Sequence, residues 1–498
     1  MAIELDRRSF VGAAAVAAAA LGTGAASAFA AESAAKDAKA SAKEDGAVAT
    51  KTYDVVVVGQ GGAGMCAAIA AKEAGAEKVV ILEKEEVEGG NTNFSSSGMN
   101  AAFTKYQQAA GIEDSVDLFV SDTITGGKNW NNVALVQQMC GGSAAGVDWV
   151  AAHGLELSDV TTMGGASVAR CHRPADKKAI GTELVPALAT ACETAGVEVV
   201  KGSQAIKLTT DEETGAVNGV VALEEAGEVV YEAGAVILAT GGFGANFDLI
   251  KEYRPDLADY VTTNKKSITG DGMVMAQDAG ANLIQMSQIQ THPTVYQENG
   301  ALIGEAVRGG GGILINAAGD RFFNEMGTRD AVSAAELQQP DGKVWVFYDQ
   351  TLFDANKVCA NYDSLGMSTK FDTLEDLEAA LGVPAVELQA TLDTYNAAVA
   401  DGGASDPFGR TTGLVAPLET APFYVIPVGP GIHHTMGGIY IDGDNQALSI
   451  LGEKIPGLYA AGEVTGGIHG ANRLGGNAVC DIVVMGINAG QKAAASLK

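Results

Sequence analysis

Several arginines and histidines of this sequence fall among glycine, threonine and asparagine, where a surface cation has little reason to be. They occur in Thr291-His292-Pro293-Thr294, Glu305-Ala306-Val307-Arg308-Gly309-Gly310, Gly327-Thr328-Arg329-Asp330, His433-His434-Thr435-Met436-Gly437-Gly438 and Asn472-Arg473-Leu474-Gly475-Gly476-Asn477. Guanidinium and imidazole groups packed among small residues suit the holding of an anion, which arginine grips through two parallel N–H bonds. Read singly, each has a plainer explanation. Arg329 beside Asp330 fits an ion pair, and Arg308, three residues after Glu305, fits a helix-surface pair. His433-His434 lacks a third ligand at metal spacing, so no metal is expected. His153 and His172 read as structural, Arg254, Arg321 and Arg410 as surface or local pairs, and Cys66 and Cys480 as small core residues.

A second chemistry is written near the N-terminal end of the fold. Tyr53-Asp54-Val55-Val56-Val57-Val58 is a β-branched run typical of a buried parallel strand. Gly59-Gln60-Gly61-Gly62-Ala63-Gly64 follows at once, then an alanine-rich helical stretch to Ala74, then Val79-Val80-Ile81-Leu82 ending in Glu83. Strand, glycine turn, helix, strand and acid form the complete dinucleotide fingerprint. The glycines admit a pyrophosphate, the helix N-terminus supplies amides, and Glu83 accepts from ribose hydroxyls. Two later features favour FAD over NAD. A second glycine turn, Glu88-Gly89-Gly90-Asn91-Thr92, can reach the flavin, and strands ending at Gly241-Gly242 and at Gly462-Glu463 repeat the pattern. The first histidine after Glu83 is His153, so the FAD is expected to be bound non-covalently.

The overall composition excludes other classes. The 498 residues carry 61 acids and 32 bases, a net charge of −29, which argues against nucleic acid and against a basic membrane-binding surface. The 64 glycines are clustered rather than periodic, which excludes collagen. Six cysteines show no haem, iron–sulfur or zinc spacing. At the N-terminus, Asp6-Arg7-Arg8-Ser9-Phe10-Val11, an alanine-rich run and Ala28-Phe29-Ala30 read as a twin-arginine export signal over residues 1–30. The apolar run is too short to span a bilayer. Residues 31–51 read as a solvated tether, and the expected location is the periplasm or the outer face of the cytoplasmic membrane.

From about Tyr53 onward the chain resembles the soluble fumarate reductases of the flavocytochrome c group. The likeness rests on Met163-Gly164-Gly165-Ala166-Ser167-Val168, His172-Arg173-Pro174, Glu305 to Arg308, Thr328-Arg329-Asp330, His433 to Gly438 and Gly462 to Asn477. It implies that His434 and Arg473 bind one substrate carboxylate and that His292 binds the other end. Hydride would pass from flavin N5 to one alkene carbon, while Arg329 protonates the next and is resupplied through Arg308 and Glu305. The cofactor set comprises Gly59, Gly61, Gly62, Ala63, Gly64, Glu83, Lys84, Gly90, Asn91, Thr92, Ser97, Gly98, Gly241, Asp271, Glu463, Asn477, Ala478 and Val479. One departure concerns the substrate pocket: Gly304 stands where these enzymes generally carry a threonine that grips the second carboxylate. Fumarate is the expected substrate, with a urocanate-, methacrylate-, itaconate- or cinnamate-type enoate as the alternative. A ketosteroid-type flavin dehydrogenase, the other rival, would need a tyrosine-based site in an apolar pocket. With no haem motif of its own, the chain would take electrons from a separate cytochrome, multihaem or membrane-attached.

These groups require an α/β fold that brings distant segments together. The expectation is a Rossmann-like two-dinucleotide-fold FAD domain, residues 52–285 and 431–498, with an inserted α+β clamp domain over 286–430. Helical patterns at 374–381 and 386–399 belong to the clamp. Its closure would exclude water from the reduced cofactor.

Overall fold

The computed structural model describes residues 48–498, so the twin-arginine segment and most of the tether lie outside the described residues. The elements that position the site begin with strand β1 (Ala49–Val58), helix α1 (Gly62–Glu73), β2 (Val79–Glu83), β3 (Glu198–Lys201) and β4 (Gly227–Leu238). The second group is β5 (Ile289–Val295), α2 (Glu305–Gly309), β6 (Ile313–Asn316), α3 (Arg329–Glu336) and β7 (Val344–Asp349). The chain then returns through β8 (Phe423–Thr435), β9 (Lys454–Ala460) and α4 (Asn477–Ala495).

An eight-stranded sheet carries the run β9-β4-β1-β2-β3, in which every neighbouring pair is parallel. Val55, Val56 and Val57 of β1 are completely buried, as strands covered on both faces require. Strand order reverses about β1, and the crevice beyond the strand ends at such a reversal is where α/β sheets take ligands. The residues that follow β1, β2, β4 and β9 all emerge at this edge. Helix α4 packs on α1 at unusually close range. A Cβ on Gly490 would lie 2.1 Å from the Ala67 carbonyl oxygen, and one on Gly486 2.8 Å from that of Ala63. That close approach seats the N-terminus of α4 beside the glycine turn.

The second sheet is antiparallel, in the order β5-β8-β7-β6, with Thr369–Phe371 also paired to β8. Alternation along its strands separates two cores. Val346, Tyr348, Tyr424 and Ile426 face Ile303, Val307 and Val332 on one side. Trp345, Phe347, Phe423 and Val425 face Leu377, Leu388 and Tyr395 on the other, from the helices Leu374–Leu381 and Ala385–Ala400.

Two expected boundaries differ from the observed elements. The tether is expected to run to residue 51, yet Ala49, Thr50 and Lys51 already pair with Val229, Val230 and Tyr231. The break at 430/431 falls within β8, whose hydrogen bonding to β5 and β7 carries it unbroken from the second sheet to His434. Arg410, expected at the surface or in a local pair, is buried with a distant partner, whereas Arg321, also buried, does make a local pair, with Glu325 four residues on at 2.7 Å. Arg410 is 0% exposed and donates to Glu325, 85 residues away in sequence, at 3.0 Å.

Candidate active site

The crevice beyond the parallel strands opens into a cleft of about 910 Å³. Its walls include Gly59, Gly61, Gly62, Ala63, Glu83, Lys84, Gly90, Asn91, Thr92, Gly241, Asp271 and Glu463. Gly59 has φ +104°, and a Cβ there would sit 2.5 Å from the Ala239 carbonyl oxygen, so the turn demands glycine. A Cβ on Gly61 would meet nothing within 4 Å, because it faces the cleft. Helix α1 starts there with neither a side-chain cap nor an acid in its first turn, which leaves amides and a positive dipole for an anion. Glu83 accepts from the Gln60 and Glu85 amides at 2.7 and 2.9 Å and so is held at the cleft wall. Lys84 Nζ meets Asp271 Oδ2 at 2.7 Å across the same wall. These features fit the phosphates and ribose of a dinucleotide.

Not every residue assigned to the cofactor lines this cleft. Gly64 serves packing, since a Cβ there would lie 1.9 Å from the Gly59 carbonyl oxygen. Gly98 abuts the His172 carbonyl oxygen in the same way, at 2.3 Å. The Asn477 side chain is occupied by Asn100 at 2.7 Å and Thr123 at 3.1 Å. Ser97, Ala478 and Val479 line a second cavity of about 830 Å³, which shares Asn91, Thr92, Glu463 and Ile482 with the first. The two cavities form one trough. Helix α4 opens onto its second half from Gly476, at φ +82° and without a side-chain cap.

The second half is cationic at one end. Arg329, His433, His434 and Arg473 are on its wall, while Phe94, Leu302 and Ser95 to Ser97 make up other parts of it. Strands β5 and β8 pair Gln290 with His434 and His292 with Gly431, and the His292 and His433 rings meet edge to face at 5.2 Å. Glu305 Oε1 accepts from Arg329 Nε at 2.7 Å and lies 3.9 Å from Arg308 Nη2. Glu305, Arg308, His292 and Gly304 thus lie behind the wall residues rather than on the cavity surface. Gly304 leaves space: a Cβ there would come 3.0 Å from Ser96 Oγ and 3.6 Å from the Tyr362 hydroxyl.

Several buried polar atoms here have no partner among the described residues: His292 Nε2, His434 Nε2, Arg473 Nε, Arg308 Nε and Nη2, and Glu305 Oε2. Burial, reinforced by neighbouring guanidiniums, pushes His292, His433 and His434 well below the usual histidine value and keeps the rings neutral. His292 Nδ1 accepts from the Thr294 amide at 3.2 Å, which assigns its proton to the unpartnered Nε2. Burial together with Arg329 lowers Arg473 to about 9. Burial works against ionisation of Glu305, but Arg329 and Arg308 outweigh it and hold that carboxyl below the ordinary range. Glu463, at the junction of the two halves, is pushed up by burial to about 7 and lies 3.6 Å from His434 Nδ1.

Sequence reading left three residues of the site without a role. Gln290 accepts from Arg329 Nη1 at 3.3 Å and donates to the Arg473 carbonyl at 2.7 Å, tying two cationic segments together. Its only signal is its period-2 position relative to His292 on one strand face. His433 forms wall beside His434, and Ser96 fills in near Gly304.

A phosphate-cradling turn at one end of a trough and unpartnered cations at the other define an FAD-dependent oxidoreductase. The chain matches the FAD binding domain family over residues 54–479. It is 44% identical over 464 residues to the NADH:fumarate oxidoreductase of Klebsiella pneumoniae (strain 342), covering 92% of this chain and 50% of that protein. It therefore spans about half that relative's length. It is 42% identical to a fumarate reductase (cytochrome) of Shewanella frigidimarina, covering 89% of this chain and 77% of that one. The solved open conformation of a flavocytochrome c3 fumarate reductase superposes with a TM-score of 0.77 at 40% identity, covering 94% of this chain and 81% of that one. The chain belongs to the FAD-binding fumarate reductase flavoprotein family.

Proposed function

We propose that the protein reduces the carbon–carbon double bond of a small α,β-unsaturated carboxylate, with fumarate to succinate as the first choice. The observation that carries this is the convergence of unpaired buried polar atoms, His434 Nε2 and Arg473 Nε among them, beside Arg329. Each such group costs about 1–3 kcal/mol while unpaired, which a bound carboxylate offsets. In this reading His434 and Arg473, on the cavity wall, bind one carboxylate, and the other end is assigned to His292, whose unpartnered Nε2 lies behind that wall and is reached only once the wall in front of it yields. Bound FAD in its reduced form supplies the hydride. Negative charge then grows toward the carboxylate beside Arg473, so a fixed cation there stabilises the transition state more than the ground state. Arg329 gives its proton to the neighbouring carbon. Glu305, at 2.7 Å from Arg329 Nε, aims that guanidinium and relays a proton to it from Arg308.

The same reading takes FAD as non-covalent, since no histidine lies between Glu83 and His153. It takes residues 286–430 as a clamp, held down where Lys128 pairs with Asp330 and where Glu305 abuts Gly475. Export by the twin-arginine route and electrons from a separate cytochrome would set the enzyme in anaerobic respiration. A second reading, favoured by the space at Gly304 and by Phe94 and Leu302 on the wall, is an enoate with a bulkier apolar end, such as a cinnamate, urocanate, methacrylate or itaconate. The ketosteroid alternative is disfavoured, because the described wall residues include no tyrosine. The test is anaerobic oxidation of a reduced viologen dye with a panel of unsaturated acids, Arg329→Ala serving as control. Failure to reduce any enoate, or full activity of the variant, contradicts the reading.

A further inference from the structure

His433 stands on the trough wall with Arg329 and Arg473, and Thr263 belongs to the same wall. Of the three site histidines, His292 and His434 are buried and His433 keeps an open surface. The Thr263 hydroxyl lies 2.8 Å from His433 Nδ1, the one hydrogen bond this ring makes among the described residues. A hydroxyl has a single proton to give, so its choice of acceptor decides which ring nitrogen carries hydrogen. The other acceptor within reach, the Ile432 carbonyl, is farther at 3.2 Å and already takes the Thr263 amide at 2.9 Å. Nδ1 is closer and has no other donor. The segment that carries Thr263 is held from both sides. Thr262 bridges Ile432 of β8 and gives its own hydroxyl proton to the Gly244 carbonyl at 2.7 Å. Asn264 donates to the His433 carbonyl at 3.3 Å and accepts at 2.6 Å from Asn91 on the second glycine turn. His434 has no such neighbour: its Nδ1 faces Glu463 Oε2 at 3.6 Å, beyond hydrogen-bond reach.

We propose that the Thr263 hydroxyl fixes His433 as the Nε2–H tautomer, so that this wall residue offers a neutral hydrogen-bond donor, beside Arg473, to an anionic end of the substrate. Thr263 acts through His433 and is therefore a positioning residue. The inference rests on the enoate-reductase reading and deepens it, since it says how the wall is set to receive a carboxylate before one arrives. Burial and the nearby Arg329 and Arg473 keep the ring neutral, so it holds one proton. With Nδ1 accepting from Thr263, that proton is on Nε2, the remaining polar atom of the ring. In the opposite tautomer Nε2 would carry a bare lone pair, which repels a carboxylate oxygen and works against the anion that Arg329 and Arg473 attract. A donor fixed in advance costs no reorientation when the ligand binds.

The test compares Thr263→Val and Thr263→Ser with the parent flavin-loaded enzyme. Valine keeps the shape of threonine and removes its hydroxyl, while serine keeps the hydroxyl. The first readout is ¹⁵N NMR of histidine-labelled protein with the flavin oxidised, which needs no turnover, and His433→Gln identifies the resonance. The parent should show His433 unprotonated at Nδ1 and protonated at Nε2, with the Nε2 signal moving when fumarate is added. The second readout is the reduced-viologen assay. Thr263→Val should raise KM for fumarate by roughly two- to tenfold, the worth of one neutral hydrogen bond, with kcat changed by less than about twofold. Thr263→Ser should return KM to the parent value. A parent His433 protonated at Nδ1 would overturn the proposal, as would an unchanged KM in folded, flavin-loaded Thr263→Val. If that variant does not fold, the parent spectrum alone decides. If the parent reduces no enoate, the reading of the reaction fails first, and the spectrum still decides whether Thr263 sets the ring.

Discussion

Two buried clusters of arginines and carboxylates lie side by side in this protein, and they are built on opposite principles. In the first, Arg321 donates twice to Glu325, at 2.7 and 2.8 Å, and once to Asp406 at 2.7 Å. Arg410 donates to Glu325 and to the carbonyls of Arg308, Gly312, Thr412 and Gly413. Tyr395 packs under both guanidiniums. In the second cluster, Arg308, Arg473, Glu305, Glu336, His292 and His434 all keep at least one buried polar atom unpaired. A saturated network fixes a fold, because each desolvated charge finds its partner within the protein. An unsaturated one stores unmet hydrogen bonding for a ligand or a proton. Arg410 joins the two, since its bond to the Arg308 carbonyl, at 2.6 Å, holds the backbone of the second cluster against the first.

The contrast can be broken by substitution on either side. The largest effect is expected for Arg329→Ala: kcat down by roughly 10²- to 10⁴-fold with flavin content and melting temperature retained, measured in the viologen assay. Arg321→Met should do the reverse. Breaking the saturated network leaves Glu325 and Asp406 short of a partner and costs about 3–5 kcal/mol of stability, read by denaturant unfolding, while KM stays unchanged. Arg473→Met should raise KM and lower kcat/KM for fumarate by about 2–4 kcal/mol, with little loss of stability because the parent group is already underpaired.

A smaller effect belongs to Glu463. Its folded-state value of about 7 exceeds the ordinary 4.5, so between those limits the folded protein holds a proton that the unfolded chain has released. The Glu463 contribution to the stability of the flavin-free protein should therefore fall as pH rises from about 4.5 to 7, by at most about 3 kcal/mol, against the opposite slope of the buried neutral His292, His433 and His434, so it is read as the difference between the parent and Glu463→Gln. Glu463→Gln should remove that slope. A stability difference between parent and Glu463→Gln that stays constant or grows in the parent's favour over this range would contradict the assignment.

How much of this the sequence reveals depends on distance along the chain. The dinucleotide turn is legible because strand, glycines, helix and Glu83 are consecutive, and Gly59 and Gly61 occupy the positions their spacing demands. The cationic end is legible only as separate fragments and by resemblance. Arg329 and Glu305 are 24 residues apart, and Gln290 and Arg473 are 183 apart, so no local period joins them. Arg410 misleads for the same reason, as a charge reads as surface until its distant partner is known. Glu336 is the hardest case: an acid at the end of a short amphipathic helix looks solvated, and only packing against β5 and β8 buries it.

The central claim is that the unpaired cations beside the flavin end of the trough exist to receive an unsaturated carboxylate. The most direct measurement is a single turnover: protein with its flavin reduced, mixed with fumarate in the absence of oxygen, with flavin absorbance and products followed together. The account predicts flavin reoxidation with one succinate formed per flavin, saturable in fumarate and abolished in Arg329→Ala. Flavin that stays reduced in the presence of fumarate and of every other enoate tried would contradict it.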